Sequence, residues 1–404
     1  MRSWSVFARG LALALAVLSA MSLLGFFRAG AWLVDARGQP RPTDFFTIWS
    51  AGYQVSHGAP AFAYDLAAIE QIWSEIHGPA GDQATALPYS PPVLFGFAPF
   101  GLIPYVPAAV TWIAISVGLY LAAVGAIVPR SFALTAAAAA PVAWWNAYTV
   151  QTGFLTSALI GGFLVLSERR KIAAGVLLGL LSFKPQLGIL FPIVLIATAQ
   201  WRVIASATIT VASLIIASLL AFGTEIWVGF ARALIDTGDV NLVRGASGWP
   251  MIQSPYGFVR SIGGSADLAW TCHAIVAATV GLAVCWLWRR RDVGYSVKAS
   301  ALSVAAFIVT PYLHAYDLVG LAVPFAFLVR GASERGSLRG EPMALVGLFI
   351  GSSLLVQFGQ PLPCGPVLVA ALGICIVRRA RRDIARGDEG SAARIDRREC
   401  PAPS

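Results

Sequence analysis

Long apolar runs, separated by short polar or charged intervals, recur along the whole chain. They fall near residues 8–27, 106–128, 132–148, 151–167, 171–183, 185–199, 203–222, 267–288, 297–311, 316–330, 343–359 and 363–378. A straight bilayer crossing takes about 20 residues, so several runs are short, the two around Lys184-Pro185 above all. Two other segments have a helical period with a polar face. In Asp65 to Gly78, the residues Ile69, Ile72, Trp73 and Ile76 recur at i, i+3, i+4 and i+7, and Trp227, Phe230, Ala231 and Leu234 repeat the device. Such helices suit the membrane–water boundary. A third apolar stretch, 93–103, is broken by Pro99 and followed by Pro104 and Pro107, and is expected as a short helix lying at the surface.

Composition sharpens this picture. Hydrophobic residues make up 57% of the 404 and charged residues 12%, against about 25% charged in soluble domains. Mean hydropathy is +0.71. A single soluble core stops growing near 250–300 residues, so the bilayer must act as solvent. The expected fold is therefore an all-α polytopic membrane protein with about twelve transmembrane helices and juxtamembrane helices on its outer face. The run from Gly10 to Phe27 is read as the first crossing, being longer than a signal-peptide core and lacking a small-residue exit.

Charge tests the topology. With the N-terminus inside, the inner segments hold 22 of the 29 Lys and Arg, and the outer ones hold Arg28, Arg37, Arg41, Lys184, Arg232, Arg244 and Arg260. That asymmetry follows the positive-inside rule and places both ends in the cytoplasm of a bacterial inner membrane. The net charge of +9 is explained this way, with no nucleic acid needed. Residues 1–378 are expected to form one transmembrane domain with outer loops at 28–105 and 223–266. Residues 379–404 are expected to be a disordered cytoplasmic tail, with some attraction for membrane lipids.

The chemistry-bearing residues collect at the outer ends of the spans. The interiors hold almost no ionisable group, whereas transporters usually need some near the midplane. Asp44, in Pro42-Thr43-Asp44-Phe45-Phe46, could be a general base on a hydroxyl or simply a helix N-cap. His314, in Tyr312-Leu313-His314-Ala315-Tyr316-Asp317, could hold a phosphate as an imidazolium supported by Asp317, or hydrogen-bond to backbone. Lys184 could anchor a phosphate or snorkel from a short span, and Arg260 reads similarly. His273 reads as a packed histidine. Cys272, Cys285, Cys364, Cys375 and Cys400 show no metal-ligand spacing. No nucleotide-cradling glycine loop and no outer D-x-D pair is present, so a sugar-nucleotide enzyme with a divalent metal is disfavoured.

In order along the chain, Asp44-Phe45-Phe46, Ala51-Gly52-Tyr53 and Ala63-Tyr64-Asp65 resemble the first outer loop of glycosyltransferase family 87. Pro88-Tyr89-Ser90-Pro91-Pro92 resembles the family's Tyr-Pro-Pro, with Ser90 interrupting it. Gln151-Thr152-Gly153 resembles part of its Gly-Gln-x-Asn, without the leading Gly and the Asn. Ser182-Phe183-Lys184-Pro185 and Gln253-Ser254-Pro255-Tyr256-Gly257 are similar to its Leu-Lys-x-x-Pro and Gln-Ser-x-Tyr-Gly. The resemblance implies a GT-C fold and a mannosyltransferase that uses a polyprenyl-phosphate donor and a lipid or glycan acceptor, with no metal or other cofactor. Under it, Asp44 is the expected base, and Lys184, His314 and Arg260 are expected on the donor phosphate. Tyr64, Tyr89, Gln151, Gln253, Tyr256 and Asp317 are expected around the substrates. A lipid or glycan transporter without transferase chemistry, a related transferase of other chemistry, and a non-catalytic scaffold are the alternatives.

Overall fold

The computed structural model describes residues 2–77, 86–128, 131–357 and 363–399. Among them the chain is helical, with isolated bridges only at Trp32–Val34, Val34–Pro40 and Ile252–His314. In chain order the helices begin with α1 (Arg2–Arg28), α2 (Phe45–Ser56), α3 (Leu66–His77), α4 (Leu94–Gly101) and α5 (Tyr105–Ile127). There follow α6 (Ser131–Ala139), α7 (Pro141–Thr149), α8 (Gly153–Ser167), α9 (Lys171–Leu180), α10 (Pro185–Gly188) and α11 (Leu190–Ala197). Next come α12 (Trp201–Phe222), α13 (Glu225–Gly238), α14 (Pro255–Ser261) and α15 (Ala266–Arg289). The last four are α16 (Tyr295–Val309), α17 (Ala322–Arg335), α18 (Glu341–Gln357) and α19 (Gly365–Glu399).

The chain is thus an all-α membrane protein, and as the short apolar runs led one to expect, only some of its helices have the length of a straight crossing. Four stretches of the described residues are long and apolar enough to cross a bilayer: Tyr105–Ile127, Trp201–Phe222, Ala266–Arg289 and Ala315–Arg335. Several of the others are shorter for identifiable reasons. Pro141 splits 132–148 into α6 and α7, and Pro185 starts a new helix after Lys184, because proline cannot continue the hydrogen-bond ladder. At 1.5 Å per residue, a 15-residue helix such as α8 or α16 covers about 22 Å, less than the roughly 30 Å of a hydrocarbon core.

The short helices still run end to end in opposite senses. Lys171 at the start of α9 bonds Gln200, just past α11, at 2.9 Å, so α9 and α11 form a hairpin with Lys184 at its far tip. Near Lys171 lies a layer of charge: Arg330 reaches Glu168 at 2.8 Å, Arg335 reaches Asp383 at 3.1 Å, and Arg379 pairs with the buried Glu341. These are residues that the charge count assigns to one side. The boundary expected at 378 falls inside α19, which continues to Glu399. Its first charged turns are docked: Asp383 accepts the Gly294 N–H at 2.9 Å, and Arg382 donates to the carbonyls of Gly336 and Arg335. Those bonds replace the apolar stripe that the segment lacks.

Of the surface helices, α3 packs as expected, with Ile69 and Ile72 buried. In α13 the apolar residues divide between the protein and the outside. Ile226 and Ala233 are buried and Phe230 packs on Tyr64, while Leu234 faces outward.

Where α2 crosses α4, two glycines let the backbones meet. A Cβ on Gly52 would lie 2.3 Å from the Phe97 carbonyl oxygen, and one on Gly101 would lie 2.2 Å from the Tyr53 nitrogen. Because α2 begins directly after Asp44, this crossing sets where that carboxylate stands. Gly101→Ala should destabilise the protein by about 1–3 kcal/mol, since backbone cannot rotate out of the way. Thermal unfolding of the purified chain in detergent measures it, and an unchanged melting temperature would refute the close crossing.

Candidate active site

The segment before α2 is anchored at several points. Trp32 Nε1 donates to the Tyr148 carbonyl at 2.8 Å, and the Thr43 N–H donates to the Tyr105 hydroxyl at 2.8 Å. Phe45 and Phe46 are buried among Tyr105, Trp112, Trp49 and Trp73. Two pinned aromatics therefore follow Asp44 directly and fix its backbone. Asp44 occupies the N-cap position of α2, yet its side chain makes no capping bond. Thr43 does that work, its Oγ1 accepting the Phe45 N–H at 3.3 Å. The Asp44 carboxylate is left for another partner.

That partner is Gln151, whose Nε2 donates to Asp44 Oδ2 at 2.9 Å. Asp44 is accessible at the surface but stands in a recess with dense protein around it. Burial raises its carboxyl above the ordinary aspartate value, and the bond from Gln151 partly opposes the rise, since a donor favours the ionised form. Gln151 itself is over-determined. Its Oε1 accepts the Tyr89 hydroxyl at 3.0 Å and the Thr152 N–H at 3.2 Å. The residue before it, Val150, is buried with φ at +56°, a left-handed conformation that is costly for a β-branched side chain. Strain of this kind persists where the surroundings hold a neighbour in place. Tyr64 supports the same group from outside, its hydroxyl donating to the Tyr89 carbonyl at 2.6 Å.

On the other side of Tyr89 stands Lys184. Its Nζ lies 5.7 Å from the Tyr89 ring centroid and 5.3 Å from that of Tyr316, and it pairs with Asp317 at 2.7 Å, the two side chains being only 3% and 4% exposed. A lysine this buried is paired, and it does not snorkel. Asp44 and Asp317 both bear electrostatically on the Tyr89 hydroxyl, so the two acids share one neighbourhood. Tyr316 is fixed by Asn146, whose Nδ2 donates to its carbonyl at 3.2 Å, a contact that leaves no room for a Cβ on Gly153. His314 stacks flat on Tyr316, rings 5.2 Å apart and 3° from parallel. Burial outweighs the pull of Asp317 and pushes its imidazole down to about 4, so His314 is neutral here and offers one N–H where an imidazolium was expected.

The remaining expected residues are engaged elsewhere. Gln253 Oε1 accepts the Gly365 N–H at 2.6 Å and its Nε2 donates to Pro250, which fastens the start of α19. Tyr256 donates to the Leu242 carbonyl at 2.5 Å. Arg260 lies 4.5 Å over the Trp249 ring and donates to the Gly264 carbonyl. His273 Nε2 lies 3.1 Å from the Val309 carbonyl in a buried position, as expected for a packed histidine. Sequence reasoning missed Thr152, Tyr316, Tyr105 and Asn146. Their signal was present, as hydrogen-bonding side chains at the ends of apolar runs, but nothing in the order of residues says that those ends converge. A largely apolar cavity of about 510 Å³ begins at Leu318 and Val319 and runs between α6, α17, α18 and α19 as far as Glu341.

Residues 87–311 match the model of glycosyltransferase family 87, more than half of the chain. The matched stretch includes Tyr89, Gln151 and Lys184, and lies between Asp44 on one side and His314 and Asp317 on the other. Comparison with curated proteins and with solved structures gave no match.

Removing one member of the Lys184–Asp317 pair strands a buried charge. Lys184→Met or Asp317→Leu alone should cost about 3–5 kcal/mol of stability, whereas the double substitution should lie closer to the parent; additive losses in chemical unfolding would contradict this. Asp44→Asn should melt no lower than the parent at pH 7. The parent carries the desolvated charge above its raised carboxyl pKa and loses it by protonation below, so any advantage of the Asn variant should shrink as pH falls. Melting curves from pH 4 to 8 read the difference, and an advantage that grows with acid would reverse the assignment.

Proposed function

Because the chain belongs to glycosyltransferase family 87, and is therefore a membrane glycosyltransferase, we propose that it moves a hexose, mannose by choice, from a polyprenyl-phosphate donor to a hydroxyl of a lipid or glycan acceptor. The work is done on the outer face of a bacterial cytoplasmic membrane. One observation carries the proposal. Asp44 is an accessible carboxylate, unused as a cap, aimed by Gln151 and joined through Tyr89 to a buried cation at Lys184.

A hydroxyl is a poor nucleophile and needs a base as it attacks. In the proposed step the acceptor oxygen bonds to the anomeric carbon while Asp44 takes the hydroxyl proton. The bond from that carbon to the phosphate oxygen breaks, and polyprenyl phosphate leaves with the electron pair. One in-line displacement inverts the anomeric centre. A raised carboxyl pKa suits this task, since it strengthens the carboxylate as a base. The leaving phosphate needs charge stabilisation rather than a strong acid. Lys184 would supply it, oriented by Asp317, and the neutral His314 would add a single N–H. For Arg260 the support is weaker, because its described contacts are with Trp249 and Gly264. The apolar cavity that begins at Leu318 has the character an isoprenoid or acyl chain would need. Its apolar lining favours a lipid-borne substrate over passage of a polar solute between the helices.

The test uses purified protein and labelled polyprenyl-phosphate mannose. Asp44→Asn is near-isosteric and keeps an acceptor for Gln151, and should lower transfer by about 10²–10⁴-fold with the fold intact. Full activity in that variant would exclude Asp44 as the base.

A further inference from the structure

The end of the bundle away from Asp44 contains a second cavity, of about 370 Å³, and it is polar. Its walls include Glu168, Lys171, Gln200, Trp288, Tyr295 and Lys298, from the ends of α8, α9, α15 and α16 and the turn between α11 and α12, so one carboxylate stands in the wall beside the two lysines. Two ammonium groups share this space. Lys171 Nζ donates to Gln200 Oε1 at 2.9 Å and Lys298 Nζ donates to the Arg290 carbonyl, so each has a neutral oxygen and neither forms a salt bridge among the described residues. The nearby acids are committed to other cations. Glu168 accepts from two Arg330 nitrogens at 2.8 and 3.3 Å, and Asp292 is gripped through both oxygens by Arg290.

This arrangement differs from ordinary topological charge. Arg169, Arg170, Arg202, Arg289 and Arg291 at the same end are exposed, as solvated inside-facing residues should be. Lys171 and Lys298 are half-buried against one cavity, flanked by the exposed indoles of Trp201 and Trp286. Glu168 acts on Lys171 and Asp292 on Lys298 through space, but the direct acceptors of both ammonium groups are neutral oxygens, so the water lost on partial burial is not replaced by an ion pair. Aromatic rings at this level mark the membrane–water boundary, where lipid phosphates lie.

We propose that this cavity binds a phosphate group between Lys171 and Lys298, carried by an anionic phospholipid or free in solution. Lysine is an effective point-charge partner for phosphate. The site is separate from the sugar-transfer cluster, and occupying it would tie α9, α12 and α16 together at one membrane surface.

The full chain is placed in nanodiscs of equal parts phosphatidylglycerol and phosphatidylcholine and released for native mass spectrometry. The parent should retain phosphatidylglycerol, and Lys171→Met/Lys298→Met about tenfold less, while Lys171→Arg/Lys298→Arg keeps it. Inorganic phosphate alone is the second arm. If millimolar phosphate raises the melting temperature of the parent but not of the methionine pair, and no lipid is retained, the ligand is a soluble phosphate. Should the methionine pair fail to fold, Lys171→Gln and Lys298→Gln singly carry the same comparison. Equal lipid retention by parent and variants, with no phosphate-dependent difference in melting, overturns the proposal. Sugar transfer by the lysine variants stays unchanged in every case, which separates this result from the role of Asp44.

Discussion

A lysine and an aspartate can both be nearly sealed from water only as a pair, and Lys184 with Asp317 meets that condition at 2.7 Å. The pair joins the tip of the α9–α11 hairpin to the turn that opens α17, elements 133 residues apart in the chain. Around it the other groups take their places. Tyr89 and Tyr316 supply ring faces to the ammonium, which suits a cation in a low-dielectric setting. His314 lies flat on Tyr316, and Asn146 and Gly153 hold the Tyr316 backbone.

From Tyr89 the network reaches outward to the only acid of the group that water can touch. Asp44 has one side-chain donor, Gln151, and dense surroundings. The two carboxylates therefore differ in kind. Asp317 is spent on a cation, whereas Asp44 is held at an elevated pKa with an open side, the condition a base needs. The strained Val150 and an N-cap aspartate that does not cap its own helix are local departures from what the backbone prefers, and both concern that acid.

At the opposite end charge is used in another way. Ion pairs among Glu168, Arg330, Arg335, Glu341, Arg379 and Asp383 bind the loops and α19 together, and they extend a helix into a segment whose sequence has no apolar stripe. Lys171 and Lys298 stand out there because the same acids that could neutralise them are already engaged.

The sequence by itself determined the class of the molecule. Apolar runs of nearly membrane length, and Lys and Arg gathered in alternate intervals, leave an all-α membrane protein as the economical solution, and the local period of α3 was legible for the same reason. It also singled out Asp44, Lys184, Gln151 and Asp317, since charged or amide side chains are conspicuous beside apolar runs. Only the tertiary structure decided which of these meet. Gln253, Tyr256 and Arg260 looked equivalent to Gln151 and Lys184 as residues, yet they fasten backbone at Gly365, Leu242 and Gly264. The reach of α19, the packing of Ile226 and Ala233 of α13 and the surroundings of His314 were likewise hidden, because burial and partner choice depend on contacts between segments far apart in the chain, and a linear pattern carries no record of them.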